Sequence, residues 1–271
     1  MTQPRFFPAA DDYASRAFVA TGMFMLALLF ALAPAAWLDE RTIDEVSVWW
    51  KPLKFCLALG VHFLTVAALA QLLAPASREG FPLRAGAFAM VAAGLFEIVY
   101  IALQSARGRR SHFNYETEFE SQMYMAMGAG ALVLVLVPLM IGVMLALQRD
   151  GDRSGVKLGA VLGLIGGPLL TIAFAGYMSM SGSHFAGRID AGDAGGLPLF
   201  GWSRAYPDLR PAHFAATHMI QILPAIGYIG DRLAPALARR AVFAASALLG
   251  AFAAGLFAIA LSGRSPLGFL N

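Results

Sequence analysis

Three ionisable side chains mark where this chain could do chemistry. His62, Glu97 and His218 each fall inside a long apolar run, at similar distances from the run's end. A charged group at the centre of a bilayer costs at least ~2.5 to 3.5 kcal/mol on insertion scales, so such residues pair, meet water or serve a reaction. Neutral imidazoles ligate iron, zinc or copper, and intramembrane carboxylates and histidines are the materials of proton relays.

Helical spacing extends each of these residues into a stripe. Glu97, Tyr100, Gln104 and Arg107 follow one another at i, i+3, i+7 and i+10; Lys51, Lys54, Ala58, His62 and Thr65 form a second stripe. His213, Thr217, Gln221 and Tyr228, with His218 offset toward the same half, form a third. With a rise of 1.5 Å per residue, His62 lies ~16 Å below Lys51 and Glu97 ~15 Å below Arg107; His218 and Gln221 lie ~10 to 15 Å below Pro211. The expectation is one shared cavity. Glu97, Gln104, Arg107 and Gln221 are its catalytic or proton-handling groups, and His62 and His218 its cofactor ligands, with His213 as a further metal ligand. Arg110, His112, Asn114 and His184 stand around its mouth.

These stripes must ride on membrane helices. Of the 271 residues 58% are hydrophobic and only 14% charged, against about a quarter charged in soluble domains. Seven apolar runs, 15–37, 51–74, 84–105, 119–147, 156–181, 212–233 and 239–262, each reach the ~20 residues that cross a bilayer as a helix. No alternation of period two suggests a barrel. The expected architecture is therefore all-α, a polytopic bundle of seven transmembrane helices forming a single domain over 1–271. The largest connection, 182–211, would be an extracytoplasmic loop, with Leu197, Phe200 and Trp202 able to fold back as a lid. Asp11 and Asp12 before the first run, and its length, argue against a cleaved signal.

Basic residues divide evenly between the two faces. One face carries Arg5, Arg16, Arg78, Arg84, Arg149, Arg153, Lys157, Arg232, Arg239 and Arg240; the other carries Arg41, Lys51, Lys54, Arg107, Arg109, Arg110, Arg188, Arg204, Arg210 and Arg264. The long 182–211 loop lies on the second face, and long loops instruct topology weakly, so the first face and the N-terminus are expected in the cytoplasm. Trp49 and Trp50 mark the interface on the second face.

Packing signals are plain. Gly155, Gly159, Gly163 and Gly167 strip one face of the fifth run, and Ala244, Ala247, Ala251, Ala254 and Ala258 do the same in the last, so helices can approach closely within the bundle or in a homo-oligomer. Pro34, Pro168 and Pro224 remove backbone donors, the last freeing the Ile220 carbonyl beside His218 and Gln221. Thr117-Glu118-Phe119-Glu120 reads as a capping box. Cys56 has no second cysteine to pair with and reads as a small buried hydrophobe. Met123 and Met127 face together and could offer soft sulfur to Cu(I), though filling the helix contact suits them better. The net charge of +3 comes without a basic tract, so nucleic acid is not an expected partner.

The stretch Phe96-Glu97-Ile98-Val99-Tyr100-Ile101-Ala102-Leu103-Gln104-Ser105-Ala106-Arg107-Gly108, continuing into Ser111-His112-Phe113-Asn114, resembles a segment of uncharacterised bacterial multi-pass membrane proteins. So does Leu197-Pro198-Leu199-Phe200-Gly201-Trp202-Ser203, followed by Asp208-Leu209-Arg210 and His213-Phe214. That resemblance implies a bacterial inner membrane and no particular activity. Seven-helix retinal proteins need a lysine in the last helix, which 239–262 lacks. Membrane hydrolases similar to alkaline ceramidase use a His-x-x-x-His pair, and His213 and His218 are one residue too far apart for that.

The first functional expectation is a membrane-embedded haem b or transition-metal centre (Zn, Cu or Fe) for redox or electron-transfer chemistry. The alternatives are a proton-coupled transporter of a small, anionic solute, a metal-dependent membrane hydrolase, and an assembly subunit whose polar faces satisfy one another. The arginines suit a small-molecule or lipid anion as ligand.

Overall fold

A computed structural model describes residues 12–187, 196–197 and 200–270. Arg5, Asp11, Arg188, Pro198 and Leu199 lie outside the described residues. Among the described residues the protein is all-α apart from one tiny hairpin and a single bridge between Phe185 and Asp208. It forms two compact units, one over residues 12–137 and one beginning at Pro138.

In the first unit, α1 (Tyr13–Leu38) starts where the Asp12 carboxylate accepts the Ser15 N–H at 3.1 Å, and the same buried carboxylate accepts a hydrogen bond from Gln71 at 2.8 Å. A hairpin of β1 (Thr42–Ile43) and β2 (Val46–Ser47) follows, turning through Asp44 and Glu45 at φ 53° and 64°; positive φ at both central residues matches the right-handed strand twist. Helix α2 (Trp50–Ala70) ends short of the expected 74, and the one-turn α3 (Pro75–Arg78) leads into α4 (Phe81–Ala106). Helices α1, α2 and α4 pack on one another. At the closest point of α1 and α2, a Cβ added to Gly22 would stand 3.1 Å from the Gly60 carbonyl oxygen.

Helix α5 (Glu118–Leu147) carries Pro138 within it and runs from one unit into the other. In the second unit, α6 (Gly155–Ser181) packs on α7 (Arg210–Thr217) and α8 (Met219–Leu233), and α9 (Pro235–Leu261) packs on all three. The expected sixth crossing is thus two helices, separated at His218. Thr217 donates its hydroxyl back to the His213 carbonyl at 2.8 Å, a bond that bends helices, and Gln221 N–H bonds the His218 carbonyl one residue early, tightening the turn.

The glycine stripe on α6 meets backbone directly. Added Cβ atoms would stand 2.3 Å from the Leu223 oxygen at Gly159, 2.6 Å from the Met219 oxygen at Gly163 and 3.0 Å from the Ala216 oxygen at Gly167. Asp231 of α8 accepts the first two N–H groups of α6, from Gly155 at 2.7 Å and Val156 at 2.9 Å. A carboxylate at the positive end of the helix dipole secures that end of the pair.

Six helices, α1, α2, α4, α5, α6 and α9, are long and apolar enough to cross a membrane. The protein is therefore a multi-pass membrane protein whose apolar flanks suit a lipid bilayer.

Candidate functional site

Glu97 lies in α4, 2% exposed, and its Oε1 has no hydrogen-bond partner among the described residues. Room for the carboxyl comes from Gly130 of α5, where an added Cβ would stand 3.2 Å from Oε1. Phe63 of α2 closes the adjacent turn by filling the space that Gly94 leaves. Lys51, at the start of α2, acts on the Glu97 carboxyl through charge.

The α4–α5 seam has a simple register. Glu97 faces Gly130. One turn nearer the helix end, Tyr100 packs with Met127 and Met123. At the end of the seam, the Arg107 guanidinium stands 3.8 Å from the Glu120 carboxylate. Each turn up α4 is matched by a turn down α5, as for antiparallel neighbours. The Tyr100 hydroxyl is buried and, like Glu97 Oε1, has no hydrogen-bond partner among the described residues.

The seam ends in a charged cluster. Glu120, 1% exposed, takes Arg109 at 2.5 Å and the Thr117 hydroxyl at 2.8 Å. Its own N–H returns to the Thr117 hydroxyl at 3.3 Å, so one half of the capping box forms, while the carboxylate serves the arginines instead of the Thr117 N–H. Arg109 also binds Glu116, which together with Glu120 raises the guanidinium's affinity for its proton. Arg110 pairs with Asp44 of the hairpin at 2.6 Å, and Arg41 caps α4 by donating to the Ala106 carbonyl at 3.0 Å.

The other expected site residues of this unit hold its framework. Gln104 and Asn114 both donate to the Arg110 carbonyl, at 3.2 and 2.8 Å, and Arg107 donates to the Gln104 oxygen at 2.8 Å. These bonds shape the connection after α4 around a cavity of about 400 Å³ lined by Ile43, Arg109, Arg110, Phe113, Asn114 and Glu116. His112 sits between the rings of Phe55 and Tyr124, and burial and the Lys51 charge hold its imidazole well below the usual histidine range.

His62 has a backbone task that Pro138 creates. Proline has no N–H for the carbonyl four residues earlier, which is that of Leu134. His62 Nε2 stands 3.0 Å from that oxygen, and since a carbonyl only accepts, Nε2 carries the proton.

His213, His218, Gln221 and His184 belong to the second unit. His218 donates from Nδ1 to the Phe214 carbonyl at 2.8 Å and stacks on the Phe214 ring at 3.7 Å. Trp202 and Phe200, themselves stacked, press edgewise on Phe214 at 5.1 and 5.4 Å, so this part of the long connection does fold back onto α7. His213 is half-buried in α7 and Gln221 half-buried in α8, while the His184 ring packs on Phe185 at 4.3 Å. Among the described residues no three His, Cys, Asp or Glu side chains gather closely enough to hold a metal ion.

Residue-type reasoning passed over four participants: Gly130, Pro138, Glu120 as a ligand of arginine, and Asp231. Pro138 with His62 was detectable, because the proline names the carbonyl it frees. Gly130 carried no signal until its neighbour was known. Comparisons with protein-family models, curated proteins and solved structures find no significant match.

Proposed function

We propose that the chain is a proton-coupled transporter of a small solute in a bacterial inner membrane, with the N-terminus in the cytoplasm and α7–α8 as a seventh crossing. The observation that carries this reading is Glu97: a carboxyl buried in a membrane helix, given room by Gly130, whose Oε1 has no hydrogen-bond partner among the described residues. An ionised carboxylate without donors is costly in such surroundings, so the group carries a proton or meets a cation, and exchanging one for the other is what a coupled carrier does. The cavity at the end of the seam holds Arg109 and Arg110, each ion-paired with carboxylates, as the groups for which an anionic solute would compete. Reconstitution into proteoliposomes with an internal pH dye tests the reading. Small anions presented one at a time should drive proton entry through the wild type and not through Glu97→Gln; equal proton flux through both would refute it.

A second reading, a haem or transition-metal centre for electron transfer, draws support from imidazole orientation. His218 donates Nδ1–H to a backbone carbonyl, the second hydrogen bond that commonly orients a metal-ligating histidine, and Nε2 is the nitrogen that would ligate. A purified protein with neither a Soret band nor bound metal would exclude it.

A further inference from the structure

We infer that the Tyr100 hydroxyl is the proton conduit between Glu97 and the Glu120–arginine cluster at the end of the α4–α5 seam. The inference rests on the reading of Glu97 as a proton carrier and specifies the direction in which its proton leaves.

The seam itself supplies the argument. From Glu97 the α4 stripe rises through Tyr100 and Gln104 to Arg107, and the facing α5 positions are Gly130, Met127, Met123 and Glu120. Methionine thioethers and a glycine cannot relay a proton, so α5 contributes nothing until Glu120. Gln104 is committed at both ends, donating to the Arg110 carbonyl and accepting from Arg107. Among the described residues Tyr100 is thus the one exchangeable O–H on the α4 and α5 positions of this face between the two carboxyls, one turn or ~4.5 Å of rise from Glu97. Its hydroxyl is buried with no hydrogen-bond partner among the described residues, and Glu120, Arg107 and Arg109 are the charged groups that bear on it.

Beyond Tyr100 the proton has to pass Glu120 to meet water. Glu120 is buried, but its partner Arg109 also binds Glu116, whose side chain is 64% exposed. A proton arriving at Glu120 weakens its ion pair with Arg109; the guanidinium, which cannot itself take the proton, then rests on Glu116 alone and leaves Glu120 to release the proton directly to water. The proton balance is simple: the phenol oxygen accepts a proton as it gives its own onward and ends as it began, Glu97 is left ionised, and Glu120 gains the proton until it passes to water. The charged groups bearing on the route are Lys51 at Glu97, and Glu120, Arg107 and Arg109 at Tyr100.

The test follows the protonated Glu97 carboxyl by its infrared C=O stretch, identified by its loss in Glu97→Gln, and times the band's shift after transfer of full-length protein in nanodiscs to heavy water. Tyr100→Phe removes one oxygen from an otherwise preserved ring, and Tyr124→Phe serves as control. Exchange should slow by about tenfold or more in Tyr100→Phe, with the pH midpoint of the band and the melting temperature unchanged and the control like wild type. A merely structural tyrosine would move the midpoint or the melting temperature instead. Wild-type exchange kinetics in Tyr100→Phe would overturn the conduit and leave the Glu97 reading standing, whereas the absence of any Glu97 band would overturn both.

Discussion

The α6–α8 pair and the α4–α5 seam are both antiparallel helix contacts built on glycine, and they use it for opposite ends. On α6, Gly159 and Gly163 let a neighbouring backbone come so close that an added Cβ would meet carbonyl oxygens at 2.3 and 2.6 Å. On α5, Gly130 faces no backbone; it makes space for the Glu97 carboxyl. Close backbone approach maximises dispersion contacts and fixes geometry. A glycine that houses a polar group forgoes those contacts and leaves a site that can change its charge. The same residue type therefore marks a rigid joint in one place and a reactive one in the other.

The most direct way to break this contrast is the same substitution at both positions. Gly159→Ala should cost about 2 to 3 kcal/mol, seen as a lower melting temperature in detergent, because its methyl group meets a backbone that cannot yield. In Gly130→Ala the neighbour is the end of a flexible side chain, and the gain in helix propensity of up to ~1 kcal/mol offsets the crowding, so melting should stay within about 1 kcal/mol of wild type while the Glu97 infrared band shifts. Equal losses at the two sites would remove the distinction.

A second prediction concerns the hinge-like point of α5. His62→Ala should cost about 1 to 2 kcal/mol by leaving the Leu134 carbonyl unpaired in an apolar setting. Pro138→Ala restores the helical donor, so the double variant should recover part of that loss, with a coupling of at least ~0.5 kcal/mol in a double-mutant cycle. Strict additivity would mean that His62 serves something other than this carbonyl.

A further prediction is a pH dependence from His112. Its folded affinity for protons lies below that of an ordinary histidine near 6.5, so the unfolded chain binds the proton more tightly. Stability should then be fully present above about pH 7 and decline as pH falls through ~6.5. His112→Gln should flatten that decline in melting curves taken between pH 7.5 and 5.

Much of the framework was legible in the sequence because membrane helices announce themselves by length and apolarity. The α6 glycines were legible because four at constant spacing can only strip a helix face. The division of the sixth run at His218 was hidden: it follows from the Thr217 hydroxyl bending back onto His213, a local bond that hydropathy does not register. Glu97 was visible as an ionisable residue in an apolar run. The unpartnered state of its Oε1 among the described residues and the opening made by Gly130 were not, since both depend on the register of α4 against α5. Gln104 and Asn114 looked like site residues by polarity, and that polarity goes into holding one carbonyl, that of Arg110.

The central claim is that Glu97 holds and releases a proton inside the membrane. Infrared spectra of the protein in nanodiscs across a pH series, wild type against Glu97→Gln, test it most directly. A carboxylic C=O band that comes and goes with pH in the wild type and is missing from Glu97→Gln is the predicted result; superimposable spectra at every pH would contradict it.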